Sequence, residues 1–123
     1  MSVLGIGIDV VDIERFRASL ARTPTMRERL FTAVELAYVA DKNDPVPSLA
    51  ARFAAREAVM KSMGLGLGAF GFHEVWVERA DSGVPSLSVV GRAAELAGER
   101  GITRWHLSLT HSDLVAAAYV IAE

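Results

Sequence analysis

A chain of 123 residues with a formal net charge of −2, half apolar and under a quarter charged, has the composition of a soluble globular protein, and its length suits one domain over residues 1–123. The near-neutral balance argues against a general nucleic-acid binder, and the absence of cysteine excludes a disulfide framework, a thiolate nucleophile and a cysteine zinc site, in keeping with a reducing cytoplasm. The apolar N-terminus has no basic leader and meets Asp9 too early for a signal peptide or a membrane span.

Residues 3–11 alternate as a strand, with Leu4, Ile6, Ile8 and Val10 on one face and Val3, Gly5, Gly7, Asp9 and Val11 on the other. Glycine inside a strand marks close approach of a ligand or another backbone, which makes Asp9, on that face, a candidate functional acid. Asp12 is the better placed of the two to cap the next helix. That helix is predicted over Ile13 to Ala21, with Ile13, Phe16 and Leu20 inward and Arg15 and Arg22 together on another face. Residues 14–29 hold Arg15, Arg17, Arg22, Arg27 and Arg29 against Glu14 and Glu28, a basic surface that is either solvated or a docking site for something acidic. Thr32 and Glu35 have capping-box spacing and open a second helix toward Ala40.

After a loop over residues 41–48, the stretch from Ser48 to Gly64 reads as the central helix. It is small or apolar almost all round, as a buried helix is, yet carries Arg52, Arg56, Glu57 and Lys61, charges that need partners. Ala50 and Ala54, beside Glu57 and Lys61, leave a strip where something bulky could approach. The glycine-spaced loop that follows matches neither a Walker loop nor a dinucleotide fingerprint. Strands are predicted over 72–80 and 85–90 around an Asp81-Ser82-Gly83 turn, then a helix over 91–101. The last segment reads as two strands about a His111-Ser112-Asp113 connection, with Trp105, Leu107, Leu109 and His111 on one face. The fold class is α+β, an antiparallel sheet packed on helices.

Asp9 and Glu57, carboxylates from two elements, suit Mg²⁺, which takes one or two carboxylates with water and phosphate oxygens. Lys61, one turn beyond Glu57, could meet a phosphate or a leaving oxygen, or form a plain helix salt bridge with Glu57. A Ser108-His111-Asp113 hydrolase lacks a nucleophile elbow or oxyanion motif.

Three stretches in this order, GIGIDVVDIERF at 5–16, RFAAREAVMKSMGLG at 52–66 and HLSLTHSDLVAAAYVIAE at 106–123, resemble the holo-[acyl-carrier-protein] synthases, the small bacterial 4′-phosphopantetheinyl transferases. The likeness runs essentially end to end and implies the fold of that family. It implies transfer of phosphopantetheine from coenzyme A to a serine of apo acyl carrier protein in fatty-acid synthesis, releasing adenosine 3′,5′-bisphosphate. It further implies Mg²⁺, or Mn²⁺, held by Asp9 and Glu57, Lys61 at the departing phosphate, and His111 and Arg52 in contact with phosphate. Arg15 and Arg22 would dock the carrier, and the chain would form a homotrimer in the cytoplasm with active sites at subunit boundaries. Two positions depart from the family pattern: Arg56 and Val84 stand where lysine is common, both at expected coenzyme A phosphate contacts.

Overall fold

A computed structural model describes residues 2–123. The elements run β1 (Gly5–Asp12), α1 (Ile13–Arg22), α2 (Met26–Leu30), α3 (Ala33–Val39), α4 (Val46–Ser62), a 3₁₀ turn (Phe72–Glu74), β2 (Val75–Arg79), β3 (Pro85–Val89), α5 (Gly91–Glu99), β4 (Trp105–His111) and β5 (Val115–Ala122). Strands β1, β5 and β4 form an antiparallel sheet in that order, and β2 with β3 form a separate hairpin. In the register, Asp9 lies opposite Ala118, and Ala118 opposite Leu109.

Helix α4 packs on β1 and β5, and the sequence shows why it can come so close. A Cβ built on Gly5 would lie 1.9 Å from the Ser62 carbonyl oxygen, and one on Gly7 would lie 1.9 Å from that of Ala58. The glycine face of β1 therefore marks the approach of another backbone, that of α4. On the central strand, Ala116, Ala118 and Ala122 are buried and small, which keeps the floor under the helix flat. Both halves of α4 are core: Val46, Leu49, Ala50 and Ala51 join α1, α2 and α3, while Ala54, Ala55, Val59 and Met60 join the hairpin, α5 and the sheet. The Ala50 and Ala54 strip is thus filled by the protein itself.

Several boundaries differ from the sequence expectation for local reasons. Helix α4 starts at Val46 instead of Ser48, because a proline in the first turn lacks only a donor that has no helical acceptor there. It ends at Ser62 with Met63 as its cap, and the glycine expected to terminate it, Gly64, follows in the left-handed region at φ 70°, with Gly64 N–H donating to Lys61 O and Leu65 N–H to Met60 O. The strand expected from Phe72 begins only at Val75, since Glu74 turns its carboxylate to the N-terminus of α5 and accepts from the backbone N–H groups of Arg92 and Ala93. The short α2 was not anticipated; five residues give too little periodicity to read.

Arg56 and Glu35 correct a sequence expectation. Both side chains are fully buried and paired. The Arg56 guanidinium donates through both terminal nitrogens to the Glu35 carboxylate, and through Nε to the Phe72 carbonyl at 2.8 Å. Glu35 also accepts from the Thr32 and Val77 backbone N–H groups at 3.0 and 3.1 Å. A buried guanidinium with every acceptor inside the chain is a structural tie among α3, α4 and β2, and Arg56 is not available to a ligand phosphate.

The outer face of the sheet is also unusual. Leu4, Ile6, Ile8 and Val10 are 50–59% exposed, and Tyr119 on β5 is 41% exposed. The solvent side of an antiparallel sheet is ordinarily polar, so this apolar face lacks a cover within the chain.

Candidate functional site

The alternation of β1 turns Asp9 inward beside α4, and the 3.6-residue period of α4 turns Glu57 and Lys61 toward β1. Lys61 Nζ donates to Asp9 Oδ1 at 3.0 Å and to the Ile8 carbonyl at 3.1 Å. Asp9 and Glu57 line one cavity of about 330 Å³ with Asp12, Arg15, Phe16 and Phe53. Asp12 caps α1 by accepting from Arg15 N–H at 2.9 Å, which fixes that helix at the cavity rim.

Glu57 is the strained member of this group. Its Oε1 is buried and accepts no hydrogen bond. Burial pushes its pKa up, the Asp9 charge pushes the same way, and Lys61 opposes both. Lys61 reaches across to β1, and among the described residues no Glu57–Lys61 bridge forms along the helix. A partnerless carboxylate oxygen beside a second carboxylate fits a hard divalent cation. Asp12 lines the same cavity but is engaged as the α1 cap, and among the described residues no group of three histidine, cysteine, aspartate or glutamate side chains is placed to hold an ion, so the other ligands of such an ion would be water and substrate oxygens. That donor set suits Mg²⁺ with a phosphate.

Arg52 and His111 lie elsewhere. They line a second cavity, of about 410 Å³, on the β4 side of α4, with Tyr38, Lys42, Arg79 and Thr110. Arg52 is only 2% exposed; it donates to the Ser48 carbonyl at 3.1 Å, and its Nε is buried without a partner. Its guanidinium lies 4.4 Å from the Tyr38 ring centroid, and Lys42 and Arg79 approach the same ring at 5.1 and 5.4 Å. Desolvation pulls the Arg52 pKa down. Three cations about one aromatic ring, with no carboxylate among the lining residues, make this a cationic cavity with the chemistry to take an anionic group.

The structure therefore brings together Asp9, Glu57 and Lys61, and places Arg52 and His111 across the width of α4 from them. The alternation of β4 puts Ser108 and His111, three residues apart, on opposite faces, so the hydrolase triad is not assembled. Val84 is 61% exposed at the hairpin turn and lines neither cavity. Tyr38, Lys42 and Arg79 were missed from the sequence. The spacing of four between Tyr38 and Lys42 was the only local signal, and Arg79 arrives from a distant strand. Arg15, expected only as a docking cation, also lines the carboxylate cavity. Arg17 is engaged by both oxygens of Asp44 at 2.9 Å and by Glu14, contacts that hold its pKa above the ordinary value. No helix is long and apolar enough to cross a membrane among the described residues.

Comparison with known proteins bears on this geometry. The 4′-phosphopantetheinyl transferase superfamily matches residues 5–122. A holo-[acyl-carrier-protein] synthase of Streptomyces avermitilis is 51% identical, over 100% of this chain and 99% of its own. The crystal structure of that synthase from Neisseria meningitidis is similar with a TM-score of 0.89 at 31% identity, covering 99% of each chain. The Bacillus anthracis synthase, in complex with CoA (3′,5′-ADP), is similar with a TM-score of 0.81 at 29% identity, covering 98% of this chain and 96% of that one. An inward strand acid, a helix acid lining the same cavity and a separate cationic cavity thus sit on a backbone shared end to end with these proteins, and the chain belongs to the 4′-phosphopantetheinyl transferase superfamily, among its holo-[acyl-carrier-protein] synthases.

Proposed function

We propose that this chain transfers the 4′-phosphopantetheine arm of coenzyme A to a serine of apo acyl carrier protein, in the service of fatty-acid synthesis in the cytoplasm. The serine oxygen bonds to the phosphorus that bears pantetheine, the bond from that phosphorus to the bridging pyrophosphate oxygen breaks, and adenosine 3′,5′-bisphosphate leaves. The carrying observation is the partnerless buried oxygen of Glu57 beside Asp9. Asp9 and Glu57 would hold Mg²⁺, with Mn²⁺ as a substitute. When bound, the ion neutralises pyrophosphate charge and charge that develops in transfer. Lys61 supplies its ammonium to the leaving phosphate oxygen, and Arg52 and His111 bind the phosphate of the adenosine end.

The two cavities open on opposite flanks of α4. A homotrimer answers this: the apolar outer sheet faces cover one another, and the cationic cavity of one subunit meets the carboxylate cavity of the next. Arg15 at the cavity rim and exposed Arg22 on the same helix would receive an acidic helix of the carrier, placing its serine at Asp9.

The test incubates the protein with apo carrier, coenzyme A and Mg²⁺ and follows the carrier's mass. A gain of one phosphopantetheine, abolished by chelator, is expected. Carrier binding without mass gain would leave a binding module, and phosphate release without carrier would make the chain a hydrolase. Arg15→Glu should raise the KM for carrier roughly 3–10-fold, with a smaller effect at high salt, as exposed pairs are weak and screened. An unaltered carrier dependence would remove Arg15 from docking.

A further inference from the structure

Lys61 has a nearer and more ordinary partner than the one it uses. Glu57 stands four residues before it on α4, in the orientation that favours a helix pair. The ammonium instead crosses to β1, where Asp9 Oδ1 and the Ile8 carbonyl accept two of its three N–H bonds. Glu57 Oε1 is left buried without a partner. The Lys61 side chain is 53% exposed while Asp9 is 16% exposed, so the lysine end of this pair is the one free to move. It is the penultimate residue of α4, on a four-carbon stem that can swing without disturbing the helix.

From this arrangement we infer that Lys61 is a displaceable latch on the metal-ligand carboxylate. Its charge holds Asp9 against the helix and opposes entry of a second cation at the same group. With Asp9 and Glu57 holding a divalent ion, the Lys61 ammonium would leave Asp9 for the next available anion, the coenzyme A pyrophosphate. One displacement both opens Asp9 to the ion and delivers Lys61 to the leaving group. Since the pyrophosphate gives the released ammonium an acceptor, coenzyme A and metal must strengthen each other's binding, and Lys61 carries part of that coupling. The inference rests on the assignment of Asp9 and Glu57 as the metal pair.

The experiment measures Mn²⁺ binding to the full chain by the loss of the free-ion electron paramagnetic resonance signal, with and without coenzyme A and without carrier. Wild type is compared with Lys61→Met, Lys61→Arg and Glu57→Gln, each checked for folding by circular dichroism. Without coenzyme A, Lys61→Met should bind Mn²⁺ about tenfold more tightly than wild type, and the tightening brought by coenzyme A should shrink. Lys61→Arg, which keeps the charge, should behave as wild type. Equal or weaker Mn²⁺ binding by Lys61→Met, or a Lys61→Arg that follows it, overturns the latch. The metal assignment stands in those cases if Glu57→Gln weakens Mn²⁺ binding. Unchanged binding in Glu57→Gln would overturn the metal assignment and the latch with it.

Discussion

Glu57, the proposed metal ligand, is a side chain whose burial works against the fold. Its carboxyl is shifted upward, so the native state holds its proton to higher pH than the unfolded chain does. Below the ordinary glutamate range both states are protonated and the group contributes nothing. As pH rises through the unfolded and then the shifted native value, stability is lost, and above both values the loss is complete. Glu57→Gln should therefore melt about 2–4 °C above wild type at pH 7 in chelator, the gap closing toward pH 4, while turnover falls to a small residue. Equal melting temperatures at pH 7 would show that the burial of Glu57 carries no penalty. This residue was readable in the sequence, since a lone acid on an otherwise small and apolar helix needs a partner. Arg56 stood out by the same logic but its partner stayed open, because Glu35 lies 21 residues away and the capping-box spacing already explained that glutamate. The capping box is real, and the same carboxylate also accepts the guanidinium.

At the level of elements, the distance between β1 and α4 sets the spacing of Asp9 and Glu57. Gly7→Ala would drive a Cβ into the Ala58 carbonyl, and the strand must withdraw by more than about 1 Å to relieve it. Overpacking of this kind costs about 1–3 kcal/mol, and a displacement of about 1 Å at the carboxylates should lower kcat roughly 100-fold. Urea denaturation and turnover on the folded fraction measure the two effects separately; near-native kcat would show that the strand spacing is not limiting. The glycine pattern announced close approach but left its object open between ligand and backbone. Alternation alone placed Asp9 inward. Nothing local revealed that α4 separates Arg52 and His111 from the carboxylates, because that depends on which strands the helix covers, a fact of sheet order.

For the whole molecule, the exposed apolar row on β1 is the feature on which the proposed trimer rests. Leu4, Ile6, Ile8 and Val10 are individually ordinary strand residues, and period-2 patterning correctly put them on one face. Their exposure was not legible, since an apolar face usually points to the core of its own chain. Ile8→Glu should convert a trimer into monomers in sedimentation and remove most turnover, with the secondary structure retained. A monomeric variant of full activity would show that one chain completes the site. Helix α4 adds a consequence for mutational drift. Of its 17 residues 12 are buried, Glu57 lines the carboxylate cavity, Lys61 bonds Asp9, and Arg52 walls the other cavity. Almost no position on it is free to vary without touching packing or ligand, so neutral change in this protein must accumulate elsewhere. Tolerant sites belong to exposed loop positions such as Asp41, Asn43, Asp81 and Ser82, and stabilising substitutions should be sought there before α4 is altered.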